Sequence, residues 1–401
     1  MPPATLARVP PRRFSPPALA AVLLACAGCG SGGGEKRSDG RDAGPVLAQQ
    51  GSGGDERTAP VPAQTATKNT TRLGGADPVA DAAAVARAVF PGRTRETRPR
   101  AVVLVARDDW RAGISAAQLA AAPLSAPLLL GGADELPEVT RDALEELAPV
   151  GAPQARGAQV VRVGSVAPPG RLRSPVIEGT DPAALAQAID RFHTEVGGTP
   201  GRDVVVAPLN RPDLAMPAAG WAAKSGDPVL WADRARLPPQ TRAAIRSRPR
   251  PRIWVLGGPE GVGESVLARL RRLGPVTRIA GIDAVATAIA FARFRRSGFG
   301  WGVVDPGHGL VVASTRRPQD AAAAAPLSAS GKYGPLLLVP DGRVLPNALQ
   351  EYLLDIKPGY SEDPVRGVYN HAWLMGNESA VSVAVQARID ALLEITRVQA
   401  P

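Results

Sequence analysis

The sequence predicts an α/β protein of three tandem units, each a small parallel sheet flanked by helices. Three observations predict it. The chain of 401 residues carries an internal repeat of about one hundred residues. Continuous apolar runs of strand length alternate with segments of helical periodicity, the pattern of a parallel sheet covered on both faces. An aspartate-led helix start stands at the head of every repeat.

Taken in order, the openings read "TRLGGADPVADAAAVARAVF", "SPVIEGTDPAALAQAIDRF" and "TRIAGIDAVATAIAFARF". Their aspartates Asp77, Asp181 and Asp283 lie 104 and 102 residues apart, and Pro follows in two copies, at the first helical position. A first strand comes next at 101–106, 203–208 and 310–314, then a small-residue helix. The second strand, at 126–131, 227–232 and 334–339, is marked by Pro127, Pro228 and Pro335. Leu136-Pro137, Leu237-Pro238 and Leu345-Pro346 then start another helix, and a third strand closes each unit at 159–164, 252–258 and 371–377. The units are expected to span 71–172, 173–275 and 276–398.

Ahead of them, residues 1–28 form a secretory address: Arg8, Arg12 and Arg13, a short apolar run, then "AGC" ending at Cys29. This resembles a bacterial lipoprotein signal, with Cys29 as the lipidated residue and Cys26 as the alternative. The apolar run is too short for a permanent span, and no other cysteine exists to form a disulfide. Residues 29–70 are polar and rich in Gly and Ser, the composition of a disordered tether with a reach of about 35 Å.

The charge of +10 points to an anionic partner. A compositional origin competes with that: of 47 basic residues five are Lys and the remaining 42 Arg, as a GC-rich genome would write. Aromatics at 4% argue against base stacking, so no nucleic acid is expected.

The units resemble the cell-wall-binding type 2 repeat of Gram-positive surface proteins. The resemblance rests on "RLGGAD" (72–77) and "RIAGID" (278–283), on "GISAAQLAAAPLSAPLLL" (113–130) and "DAAAAAPLSASGKYGPLLL" (320–338), and on "WVLGG" (254–258). The Arg-aromatic pair that such repeats carry after the opening aspartate is replaced here by Pro78-Val79, Pro182-Ala183 and Ala284-Val285. The resemblance implies Toprim-like or Rossmann-like units in a pseudo-threefold cluster. It further implies non-covalent binding of an anionic wall polysaccharide or teichoic-type polymer, no catalysis and no cofactor, on a lipid-anchored protein outside the membrane.

Ligands of open parallel sheets bind at the carboxyl ends of strands. The loops expected there read "RDDWR", "NRPD" and "RRPQD". Their candidates for the polymer are Arg107, Trp110, Arg111, Arg211, Asp213, Arg316, Arg317 and Asp320, with Arg forks for phosphate or carboxylate and the indole for a sugar face.

Rival chemistry is thinner. "VVDPGHGLVV" resembles the start of a zinc amidase, but His308 lacks a carboxylate and a second His at the needed places and precedes its strand, so no metal site is expected. "LGGPEGVGES" lacks the Lys-Ser/Thr of a phosphate loop and reads as a structural turn. A solute-binding lipoprotein and an envelope scaffold without ligand remain as alternatives.

Overall fold

Proline chemistry shows how the apolar runs become sheets. Pro127, Pro228 and Pro335 have no amide hydrogen, so each precedes its strand and supplies only a carbonyl, which accepts from Val103, Val205 and Val311 at 2.9, 3.0 and 3.1 Å. The computed structural model describes residues 65–197, 200–330 and 334–398. Cys26, Cys29, the address and residues 29–64 of the expected tether lie outside the described residues.

The first repeat comprises β1 (Thr70–Leu73), α1 (Pro78–Val89), β2 (Val102–Ala106), α2 (Trp110–Ala116), β3 (Leu128–Gly131), α3 (Glu138–Leu147) and β4 (Val160–Val163). The second runs β5 (Val176–Ile177), α4 (Pro182–Gly197), β6 (Asp203–Pro208), α5 (Pro212–Ala215), α6 (Pro217–Ser225), β7 (Val229–Ala232), α7 (Pro239–Arg246), β8 (Arg252–Leu256) and α8 (Glu264–Arg271). The third runs β9 (Val276–Ile279), α9 (Ala284–Arg293), β10 (Gly309–Ser314), α10 (Asp320–Ala329), β11 (Leu336–Val339), α11 (Asn347–Asp355), β12 (Gly359–Tyr360), β13 (His371–Met375), α12 (Val383–Leu393) and β14 (Thr396–Arg397).

The sheets are not in step with the repeats. Their strand orders are β3-β2-β4-β5, β7-β6-β8-β9 and β1-β13-β10-β11, all parallel, beside a two-stranded β12-β14 ribbon. The opening strand of each repeat is therefore the edge strand of the preceding sheet. The very first, β1, completes the last sheet: Thr70 lies opposite Ala372 and Leu73 opposite Met375. The chain just ahead of it, Thr67 to Asn69, is held by Asp390 of α12 and by Glu394, which ends that helix.

The helix after each opening strand crosses to the next sheet. α1 packs on β3 and α3, α4 on β7 and α7, and α9 on β11 and α11. Each opening segment thus straps two sheets together. Its helix starts as the sequence predicts: Asp77 and Asp181 each accept two amides at 2.9 Å, and Asp283 accepts Ala286 N at 2.7 Å.

The small-residue helices form the hub. α2, α6 and α10 pack on one another, and in rotation α2 meets β7, α6 meets β11 and α10 meets β3, a pseudo-threefold arrangement. Small side chains are required there. A methyl group added at Gly113 would lie 2.8 Å from Ala322 Cβ, and one at Gly220 would lie 2.9 Å from Ser328 Oγ. One apolar cluster runs through the hub and all three sheets, and two others fill the outer layers of the first and third.

Candidate functional site

The carboxyl ends of β2, β6 and β10 present the anticipated loops, and most of their polar groups already have partners. After β2, Asp109 caps α2 by accepting the amides of Arg111 and Ala112, each at 3.0 Å. The Arg111 side chain reaches into the second repeat, donating to Leu209 O at 2.7 Å, with its guanidinium 4.4 Å from the Trp110 ring centre. Trp110 is half-buried and sets its edge against Trp231, whose indole donates to Ser115 Oγ at 3.0 Å. Trp110 and Arg111 therefore help join two repeats. Arg107 is exposed and 3.6 Å from Asp108.

After β6, Arg211 forms a two-pronged pair with Asp213 at 3.0 and 2.7 Å. After β10, Arg316 is exposed, but Arg317 turns inward. It bonds Asp81 on α1 and lies 3.1 Å from Asp320 on α10, and both carboxyl side chains are fully buried. Gly75 N also donates to Asp81 at 2.5 Å. A Cβ at Gly74 or Gly376 would strike Asp81 or Arg317, so only glycine lets the backbone close around this cluster. One guanidinium cannot offset the desolvation of two carboxylates. Burial, moderated by Arg317, pushes Asp81 up to about 6, and burial with the neighbouring Asp81 charge raises Asp320 well above the carboxylate range. Six of the eight predicted residues thus fall into three settings, Trp110 with Arg111, Arg211 with Asp213, and Arg317 with Asp320, while Arg107 and Arg316 stay exposed.

Sequence reasoning overlooked Asp81, although a carboxylate four residues after a helix cap, within an alanine-rich apolar face, is a visible signal of a buried charge. It also overlooked Asp190 on α4, which bonds Arg248 and accepts from Gln118 at 3.2 Å deep between α4 and the hub. The opening arginines bind carbonyls inside the fold. Arg72 donates to Gly376 O at 3.0 Å and Val381 O at 2.6 Å, and Arg278 to Gly257 O and Val262 O at 2.7 and 2.8 Å.

The three histidines have separate partners. His308 contacts Asp305 at 3.0 Å, in the loop ahead of β10; His371 contacts Thr71 Oγ1 at 3.0 Å; His193 contacts Ala122 O at 3.1 Å. Among the described residues no group of three or more His, Cys, Asp or Glu is placed to hold a metal ion. The glycine-rich loop after β8 is filled from within. Glu260 accepts Gly258 N at 3.2 Å, and a Cβ at Gly263 would lie 2.2 Å from Arg234 O. No described helix is long and apolar enough to cross a membrane.

Three parallel sheets strapped into a ring around small-residue helices, with strand-end arginines tied into neighbouring repeats, define a repeat-built α/β module. Residues 278–386, from β9 into α12, match Cell wall binding domain 2 (CWB2). Among solved structures the fold is similar to Cwp6 from Clostridium difficile, with a TM-score of 0.65 and 18% identity over 83% of this chain and 49% of that one. It is also similar to Cwp8 from Clostridium difficile, with a TM-score of 0.62 and 18% identity over 82% and 52%. The chain spans about half the length of these structures. No curated protein matches it.

Proposed function

We propose that this protein is a non-catalytic component of the bacterial cell envelope, lipid-anchored through Cys29 or Cys26, that binds an anionic wall polymer through its ring of three sheets. The observation that carries the reading is the match of 278–386 to Cell wall binding domain 2, on a stretch whose alternation of four sheet strands with helices occurs twice more in the chain. The charge of +10 supports an anionic ligand. The test is co-sedimentation of the full chain with purified walls, native or stripped of anionic polymer, at low and high salt. Binding that needs the polymer and weakens with salt is expected; equal recovery in the supernatant of both preparations would refute it.

A solute-binding reading draws on a groove of about 740 Å³ between α3 and the loop after β4. Leu136, Leu144 and Leu172 line it, and Asp134, Glu135, Glu145 and Arg141 are its charged members. Thermal-shift screening of small cationic and amphipathic solutes tests that reading.

A further inference from the structure

We propose that the anionic polymer is gripped at the amino-terminal edge of the second sheet, by an arginine platform on the turns that enter β6, β8 and β9 and leave α8 and α9. The inference rests on the wall-binding reading and locates its site. Arg211 and Arg317 spend their forks on Asp213, Asp81 and Asp320, and Arg111 on Leu209 O. At the opposite edge, Arg202, Arg250, Arg271, Arg272, Arg295 and Arg296 are all exposed. Among the described residues none of the six has a carboxylate within ion-pair distance.

They sit on neighbouring turns. Arg271, Arg272 and Arg296 line an open groove of about 670 Å³ floored by Gly274, Pro275 and Val276. Arg202 donates to Arg250 O at 3.3 Å, and Arg252 beside them donates to Ser297 O at 2.8 Å. That last bond anchors the turn carrying Arg295 and Arg296. The turn is a tight two-residue reversal, with Ser297 and Gly298 at φ +52° and +86° and Arg296 bridged to Phe299. The platform is therefore held before any ligand arrives, which lowers the ordering cost of binding.

The carboxylates at this edge are already engaged, Asp203 by Arg252 and by the Trp254 indole at 2.7 Å, and Asp227 by the Trp221 indole at 2.8 Å. Unneutralised guanidinia repel one another in the free protein, and a run of phosphates or carboxylates relieves that repulsion. The first sheet offers no equivalent, because Glu195 shares the groove of Arg156 and Arg173 there. A linear polyanion laid across this edge meets several forks at once, whereas a small anion meets one or two.

The experiment compares the full chain with R271Q/R272Q/R295Q/R296Q, with the same four positions as Lys, and with R107Q/R316Q, for binding to native walls across a salt series. All six positions are exposed, so unchanged thermal melts are expected. The Gln quartet should bind at least about tenfold more weakly with a flatter salt dependence, the Lys quartet should recover part of the affinity, and R107Q/R316Q should match wild type. Competition by inorganic polyphosphate against polygalacturonate tells a phosphate polymer from a carboxylate one. Wild-type binding retained by the Gln quartet would overturn the platform and leave the wall-binding reading standing, whereas failure of wild type to bind walls would overturn both. Tighter binding to phosphatidylglycerol vesicles or duplex DNA than to walls would overturn the choice of ligand.

Discussion

Replacing Asp320 by Asn should make the protein more stable at neutral pH and leave it nearly unchanged in mild acid. Asp320 and Asp81 are buried against the single Arg317, and Asp320 is raised well above the usual carboxylate range by burial and by Asp81. The folded chain thus keeps a proton that the unfolded chain releases near pH 4. The stability linked to that proton is complete below the unfolded pKa and drains away as pH rises toward the folded one, by about 1.4 kcal/mol per pH unit. Asparagine has the same shape and carries no such proton, so the part of the slope due to Asp320 disappears while that of Asp81 remains. Between pH 5 and pH 7 the stability of Asp320→Asn relative to wild type should rise with pH, at no more than about 1.4 kcal/mol per unit. Urea unfolding of both proteins at pH 5, 6 and 7 measures it. A difference that stays constant across this range would refute the assignment of a buried, protonated Asp320.

Other substitutions probe separate joints. Arg248→Met leaves Asp190 buried without its cation and should cost about 3–5 kcal/mol in urea unfolding. Gly113→Val forces α2 away from α10 and should cost about 1–3 kcal/mol, read as a lower melting temperature. Leu73→Ala empties a fully buried site in the strand that closes the ring and should cost about 2–5 kcal/mol. Limited proteolysis of that variant should cut first next to β1.

Local chemistry made the elements legible. Continuous valine and leucine runs, proline before each second strand and the Leu-Pro helix starts all come from constraints between near neighbours, and the strands lie within one or two residues of expectation. The partnership of β1 with β13 leaves no such mark, because the pairing joins segments 300 residues apart and any apolar edge strand satisfies the same pattern. The candidate arginines show the same division. Residue type and loop position announced Arg211 and Arg317, but the carboxylates that occupy them include Asp81, on a helix of another repeat. The exposed arginines at the entrance to the second sheet went unnoticed because they are scattered from 202 to 296 in the chain. The match to Cell wall binding domain 2 covers the third repeat, where "RIAGID" carried the resemblance.

The closure of the last sheet by β1 also decides where a mechanical load would enter. A pull on the chain ahead of residue 65 acts along β1, which lies parallel to β13 across four paired positions. Tension in that direction shears the whole ladder at once, so its bonds resist together rather than opening singly. The contacts of Lys68 and Asn69 with Glu394, and of Thr67 with Asp390, stand in front of that ladder and take strain first. Force applied at the front of the chain is thus delivered first to the sheet built from its far end.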